Sequence, residues 1–433
     1  MGKGLDRLNV LASAYACNPT GSLQLHPGED MTGWRLVEQL RRFHEVWVIT
    51  HTYNEEGIRT ALAGAARSGV HFHFVHLSSL LRWLYRLEFG RRIYYYLWQR
   101  KAGRVARRLH REIHFDVAHH LTFGNDWMPS FIGAFLPIPF IWGPVGGGQK
   151  TPHGLLKCYS LKGKIAEWFR DSAQWIGRNL LYSRRECLKK ARAILVCNEE
   201  TKAGIPEPFS DKVRLFPVNG ISEEDLRQDW TQGREDNSFL VLTAGRLHRL
   251  KGFDLAIRAF DLFAKEVPDA VLEIVGEGPE EGRLKNLVRT LSTRDRIRFV
   301  PWLPRKALIG RMRQSDVFLF PSFRDGGGAV VVEAMASGVP VICLDTGGPG
   351  FHVQEAWGIK VAPFSPDHVI SEMAKGVHRL YTGKELRKEM GRAARDRAEA
   401  YYVWDRLGEE MIGIYEKVLG LSLKGVRDAA SED

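Results

Sequence analysis

Between Asp316 and Met335 the chain passes from a mostly apolar run, Asp316-Val317-Phe318-Leu319-Phe320, through a triple glycine, Gly326-Gly327-Gly328, into a second apolar stretch from Val330 to Met335. The first run is short, continuous and apolar, which predicts a buried parallel strand. The second predicts a helix opened by the glycines. Glycines let the backbone approach a ligand closely, and a helix N-terminus offers unpaired N–H groups to an anion. Asp325 and Glu333 bracket the turn, one in the loop and one in the helix. Carboxylates accept the hydrogen bonds that sugar hydroxyls donate. A diphosphate at the helix end with hydroxyls on either side describes a nucleotide-sugar site; the competing reading is a plain strand-to-helix turn with solvated acids.

Strand–helix alternation runs along the rest of the chain and predicts parallel sheets covered on both faces. In the first half, strands are expected at Leu8–Ser13, Glu45–Thr50, Val70–Leu77, Phe115–His120, Ile138–Trp142, Ala191–Val196 and Val213–Pro217. Cys17 to Thr32 reads as a polar loop before a helix from Gly33 to Phe43, and Leu80 to Arg111 as two helices broken near Gly90. In the second half, strands are expected at Phe239–Ala244, Val271–Val275, Ile297–Val300 and Val339–Leu344, with a final helical stretch after them. The polar segment Ser222 to Asn237 is the expected domain boundary. Trp404 to Leu419 carries Leu407, Met411, Ile414, Tyr415 and Val418 at helical spacing.

A length of 433 residues suits two or three domains. No stretch is long and apolar enough to span a bilayer, and the N-terminus lacks a secretory pattern. Five scattered cysteines without a CxxC pair argue against a disulfide framework or a zinc site and fit a reducing cytoplasm. The net charge of +11 implies an anionic partner. No nucleic-acid-binding pattern is present, which leaves an anionic substrate or an anionic membrane surface. Basic residues concentrate between Leu81 and Ile113, among them Arg100, Arg104, Arg107, Arg108 and Arg111, beside Tyr94, Tyr95, Tyr96 and Trp98. This segment reads either as a lipid-docking surface or as a helix pair with a solvated basic face. The expected localisation is cytoplasmic, with a peripheral position at the inner face of the membrane as its variant.

Two cations, Arg246 and Lys251, fall in one loop after the strand Phe239–Ala244. Fixed cations there stabilise charge developing on a departing diphosphate. Val275-Gly276-Glu277-Gly278-Pro279 is a further glycine turn at a strand end, either a simple tight turn or a nucleotide contact at Gly276. Trp302 reads as a core residue or as a base-stacking one. In the first half, Gly28, Thr32 and Gly33 lie in a glycine loop that either lines a ligand cleft or caps a helix, and Gly146 and Gly147 follow another strand. His119 and His120 end the strand Phe115–His120 and face opposite sides of it.

The acid pair, with the following Ala334-Met335-Ala336-Ser337-Gly338 and Pro340-Val341-Ile342, resembles the donor-site signature of retaining glycosyltransferases of family 4, with Asp325 where the family has Glu. The likeness is most specific from Ala244 to Ile342. It implies a GT-B fold: an α/β protein of two doubly wound Rossmann-like domains facing each other across a cleft. Residues 1–225 would form the acceptor-side domain, joined by a returning helix at about 404–420, and 237–400 the nucleotide-sugar domain. The resemblance makes Arg246 and Lys251 the diphosphate clamp, Glu333 the ribose contact and Asp325 the sugar contact, with Gly326, Gly327 and Gly328 as the phosphate turn. It places a catalytic histidine at His119, or at His120 because the family's second histidine falls on Leu121. It implies a hexosyl- or N-acetylhexosaminyl-type transferase (EC 2.4) using a UDP- or GDP-sugar without a metal or other cofactor. The acceptor would be a polysaccharide or lipid-linked glycan. A nucleotide-sugar epimerase or hydrolase and a non-catalytic basic adaptor are the alternatives.

Overall fold

A computed structural model describes residues 7–20, 27–63, 69–227 and 238–421. Two parallel sheets organise it. The first has seven strands: β1 Asn9–Ala14, β2 Glu45–His51, β3 Val70–Val75, β4 Val117–Thr122, β5 Phe140–Val145, β6 Ala191–Val196 and β7 Val213–Leu215. Their order is β3-β2-β1-β4-β5-β6-β7. The second has six: β8 Phe239–Ala244, β9 Ala270–Val275, β10 Ile297–Val300, β11 Val317–Phe320, β12 Val341–Leu344 and β13 Gly358–Val361. Their order is β10-β9-β8-β11-β12-β13. All pairings between these strands are parallel. β4, β5, β8 and β9 are buried at every position, and β8 reads accordingly as a nearly continuous apolar run. In each sheet the order reverses beside the first strand, between β1 and β4 and between β8 and β11. Ligands of open parallel sheets bind beyond the carboxyl ends of such a pair.

Three elements differ from the sequence expectations. The first helix starts at Pro27, not Gly33, and runs to Phe43. Proline suits the first helical turn, where its missing N–H is not needed. The break expected near Gly90 falls at Leu87. A 3₁₀ stretch, Ser79–Arg86, ends at the extended Leu87, and one helix then runs from Glu88 to Ile113. Gly90 sits there because a Cβ would overlap the Leu84 carbonyl. β13 follows β12, where only helix was expected, before the helices Pro366–Thr382 and Lys384–Tyr401.

The chain divides into two compact units. One holds the chain through Gly148, Ser172–Val218 and the chain from Trp404; the other holds Gln149–Asp171 and Asn219–Val403. The change of unit at Val218 precedes the expected boundary, of which residues 228–237 lie outside the described residues. The cause is local. The Ile221 N–H donates to the Tyr402 carbonyl at 2.8 Å, and Leu226 joins the core of the second unit. The excursion Gln149–Asp171 also belongs to the second unit, not to the 1–225 domain expected from sequence. Leu155 enters the core around β8, β9 and β11, and Arg249 donates to the Cys158 carbonyl. The helix Trp404–Leu419 packs in the first unit, where Leu407, Met411 and Tyr415 are buried with Trp34 and Val37. Each such side chain contributes about 1.5–3 kcal/mol on burial.

Candidate active site

The loops after β8 and β11 meet at the reversal point of the second sheet. After β8, Gly245 has φ 147°, and Gly276 after β9 has φ 140°. A Cβ on Gly276 would overlap the Gly245 carbonyl, so this glycine serves close approach of two strand ends. Arg246 is exposed and, among the described residues, makes no ion pair. His248 Nδ1 accepts the Leu250 N–H at 3.3 Å and starts the short 3₁₀ turn Arg249–Lys251. Gly252, at φ 64°, turns the chain into the helix Phe253–Ala264.

That turn delivers Lys251 to Asp325. Lys251 Nζ lies 2.5 Å from Asp325 Oδ2. Asp325 Oδ1 accepts the N–H groups of Gly327 at 3.2 Å and Gly328 at 2.8 Å. Burial pushes the Asp325 carboxyl up, but the Lys251 charge and these hydrogen bonds outweigh it and hold it below its usual range. Both oxygens therefore already serve protein donors, and Oδ2 keeps a second lone pair. Gly328, at φ 61°, opens the helix Ala329–Ala336.

A third loop, after β12, locks the turn from behind. The Gly348 N–H donates to the Asp325 carbonyl at 2.8 Å. Gly347 has φ 60°, and a Cβ there would overlap that carbonyl. His352 Nε2 lies 2.7 Å from the Gly327 carbonyl, and its Nδ1 lies 2.7 Å from the Tyr402 hydroxyl. A carbonyl only accepts, so Nε2 carries the proton and Nδ1 accepts from Tyr402.

Glu333, on the helix, is part of a second cluster. Arg305 Nε lies 2.7 Å from Glu333 Oε1, and Arg305 Nη1 lies 2.7 Å from Asp225 Oδ2. Burial raises the Glu333 carboxyl above its usual range against the opposing pull of Arg305. Trp302 is 57% exposed and so is no core residue; its backbone N–H donates to Glu277 Oε1 at 3.3 Å. Gly326 faces Gln149, whose amide nitrogen would sit 2.9 Å from an added Cβ.

In the first unit the expected loop residues fall in or directly after regular elements. Gly28, Thr32 and Gly33 lie within the helix Pro27–Phe43. Thr32 Oγ1 donates back to the Gly28 carbonyl at 3.0 Å, so it is not the N-cap. A Cβ on Gly33 would overlap the Ala16 carbonyl, so the glycine lets the helix lie on the chain leaving β1. The Gly146 N–H donates to the Gly124 carbonyl at 2.9 Å, and Gly147, at φ 89°, packs on Asn125 and Trp127.

Neither histidine of β4 offers a free ring nitrogen. His119 Nε2 lies 2.7 Å from the Gly143 carbonyl and Nδ1 lies 2.8 Å from the Tyr415 hydroxyl. His120 Nδ1 lies 2.9 Å from Ser130 Oγ, and Nε2 lies 3.4 Å from the Tyr95 hydroxyl. Both rings are buried, with Leu121 beside them. Burial lowers the His119 pKa to about 3 and that of His120 to about 4. The expectation that one of them points at substrate is corrected: the apolar strand that positions them also seals them in.

Sequence reasoning missed Arg305, Asp225, His352 and Gly347. Arg305 and Asp225 are far from the acid pair in sequence and carry no local signal. Thr346-Gly347-Gly348-Pro349-Gly350 directly after an apolar strand was a usable one. Also unforeseen is Arg324, whose Nη1 lies 2.5 Å from Glu167 Oε2 of the excursion.

The sequence and the fold have known counterparts. Residues 224–397 match the family model of glycosyl transferases group 1. An uncharacterized glycosyltransferase of Methanocaldococcus jannaschii is 28% identical over 313 residues, 70% of this chain and 75% of that protein. A D-inositol 3-phosphate glycosyltransferase of Paenarthrobacter aurescens is 32% identical over 44% of this chain and 47% of its own length. Among solved structures, the sucrose-phosphate synthase of Thermosynechococcus elongatus matches with a TM-score of 0.64 at 18% identity, covering 96% of this chain and 100% of that one. The protein is thus a glycosyltransferase built from two Rossmann-like α/β units, as in GT-B enzymes. Its second unit carries the match to the group 1 glycosyl transferases and an acid motif that resembles that of the family-4 type.

Two outcomes follow from the packing. Gly347→Ala combines a left-handed φ with a Cβ against the Asp325 carbonyl, and should destabilise the chain by more than about 1 kcal/mol in urea unfolding. The buried histidines set a pH dependence. His119, His120 and His352 have folded values of about 3, 4 and 4, below the ordinary 6.5. The unfolded chain therefore binds more protons below pH 6.5. Their contribution is complete above that value and is lost as pH falls toward 4, at up to about 1.4 kcal/mol per pH unit for each ring. Melting temperature should fall over this window, and His119→Asn should make the dependence shallower. An unchanged slope would contradict the assignment.

Proposed function

We propose that this chain transfers a hexose or N-acetylhexosamine from a UDP- or GDP-sugar to an acceptor hydroxyl, with retention of anomeric configuration and without a metal, in assembly of a polysaccharide or a lipid-linked glycan. The observation that carries this reading is the convergence of Arg246, Lys251 and the N-terminus of the helix Ala329–Ala336 at the adjacent ends of β8 and β11. A departing nucleoside diphosphate gathers negative charge. Cations and N–H groups already fixed around it stabilise the transition state without reorganising. Arg246 is the exposed cation that meets the diphosphate first. Lys251 is shared between Asp325 and the ligand. Glu333 keeps Oε2 for a ribose hydroxyl while Oε1 stays on Arg305. Asp325 shapes the glycine turn and aims Lys251. Neither β4 histidine takes a proton from the acceptor in this reading.

Nucleoside diphosphates of different bases should raise the melting temperature, and the base that does so most identifies the donor. Ligand at about a hundred times its dissociation constant adds about 2.7 kcal/mol. Arg246→Ala should cut turnover by about a hundredfold with an unchanged melting temperature, because the side chain is exposed and makes no ion pair among the described residues. Turnover at the wild-type level in this variant would overturn the clamp. Release of free or epimerised sugar without acceptor, as fast as transfer with it, would reassign the enzyme as a hydrolase or epimerase.

A further inference from the structure

The helix Leu161–Leu180 packs the wrong way round for a surface helix. Glu167, Arg170, Gln174 and Arg178 face the protein. Glu167 Oε2 accepts from Thr151 Oγ1 at 2.9 Å and pairs with Arg324. Arg170 donates to the Gln149 carbonyl at 2.8 Å, and Gln174 donates to the Gly147 carbonyl at 2.8 Å. Arg178 Nε lies 2.6 Å from the buried Asp126. A Cβ on Gly177 would overlap the Trp127 carbonyl, so this face sits directly on backbone.

The opposite face is apolar and exposed. Leu161 is 74% exposed, Trp168 64%, Phe169 62%, Trp175 60% and Leu180 65%. With Ile165 and Ile176, at 47% and 48%, they fall within an arc of about 140° on the helix. An ordinary surface helix turns such a stripe to the core. This one cannot roll over without breaking the ion pairs beneath it. A contiguous apolar patch of this kind marks an interaction surface.

We infer that this helix docks the enzyme on the interface of an anionic bilayer, lying in its plane. Three observations select lipid. Tryptophan and phenylalanine supply the apolar body, the composition that settles at headgroup depth. Lys162 and Lys164, both exposed, stand one on each edge of the arc, and the arc itself contains no acid. The chain carries a net charge of +11, and the helix Glu88–Ile113 exposes Arg100, Arg104, Arg107, Arg108 and Arg111. Trp127 ties that basic helix to the second half of the apolar one, its backbone against Gly177 and its ring under Arg92 at 5.2 Å. Apolar burial provides the anchor, and the basic residues select anionic lipid. No described helix is long and apolar enough to cross the membrane, so the contact is interfacial.

Sedimentation of the full chain with phosphatidylcholine vesicles, with and without phosphatidylglycerol, tests this. The wild type should pellet with the anionic vesicles and be weakened by salt. The combined variant Trp168→Ser, Phe169→Ser and Trp175→Ser should lose at least about a hundredfold in partitioning, given the apolar area removed, while its melting temperature holds. Lys162→Glu with Lys164→Glu should reduce binding to the anionic vesicles. Absence of wild-type binding overturns the proposal, as does undiminished binding by the triple serine variant. Loss of binding on reversing Arg100, Arg104 and Arg108 to Glu, with the serine variant still bound, would move the docking surface to the basic helix alone. A wild-type dimer that the serine variant dissociates, seen by light scattering, would assign the face to a second copy. Because pelleting does not depend on turnover, failure here is separable from failure of the transferase reading.

Discussion

One carboxylate organises the corner at which two strands of the second sheet meet. Asp325 takes two backbone N–H groups on one oxygen and the Lys251 ammonium on the other. The first pair fixes the shape of the glycine turn. The second ties the loop after β8 to the loop after β11. An ionised group just before a helix is also favoured by the helix dipole. Lys251 is held in place yet remains a cation at the surface of the site. An incoming diphosphate meets a lysine whose position has already been set, and Asp325 leaves it some charge to share. Removing the carboxylate would unfix the lysine and the turn together, so any effect on catalysis would mix geometry with charge.

Most of the sheet architecture was legible. Continuous apolar runs such as Phe239–Ala244 and Val317–Phe320 mark strands buried on both faces. β13 was not legible, because Gly358-Ile359-Lys360-Val361 has too few apolar residues to stand out. The helix Pro27–Phe43 was read six residues short because Pro27 and Gly28 look like loop residues locally, while the Gly33 contact with the Ala16 carbonyl is a tertiary fact. In the site, Arg246, Lys251, Asp325, Gly328 and Glu333 could be found from their spacing around strand ends. What spacing did not contain was pairing. That Arg305 holds Glu333 and His352 holds the Gly327 carbonyl depends on which loops the fold brings together. The helix Leu161–Leu180 shows the limit of apolar periodicity most clearly. The pattern defines a face but does not say whether the face looks inward.

His119 belongs to a construction that occurs twice. In the first unit His119 lies between a tyrosine of the last helix, Tyr415, and a glycine carbonyl, Gly143. In the second, His352 lies between Tyr402 and the Gly327 carbonyl. Each ring spans from a late tyrosine to a glycine carbonyl. A neutral imidazole, donating from one nitrogen and accepting at the other, suits this position, and an imidazolium does not. The residues look catalytic in sequence because strand ends are where catalytic residues collect. Here the strand end is braced instead.

That duplication furnishes each unit with its own internal clock. A buried imidazole proton held by a carbonyl exchanges with solvent only when its surroundings open. His119 would time the opening of the first sheet and its returning helix, and His352 that of the glycine turn. The two signals separate events that a global melting curve merges. Nucleotide binding to the second unit should slow the His352 proton and leave that of His119 as it was, so the stiffness conferred by a ligand can be followed through the molecule one ring at a time.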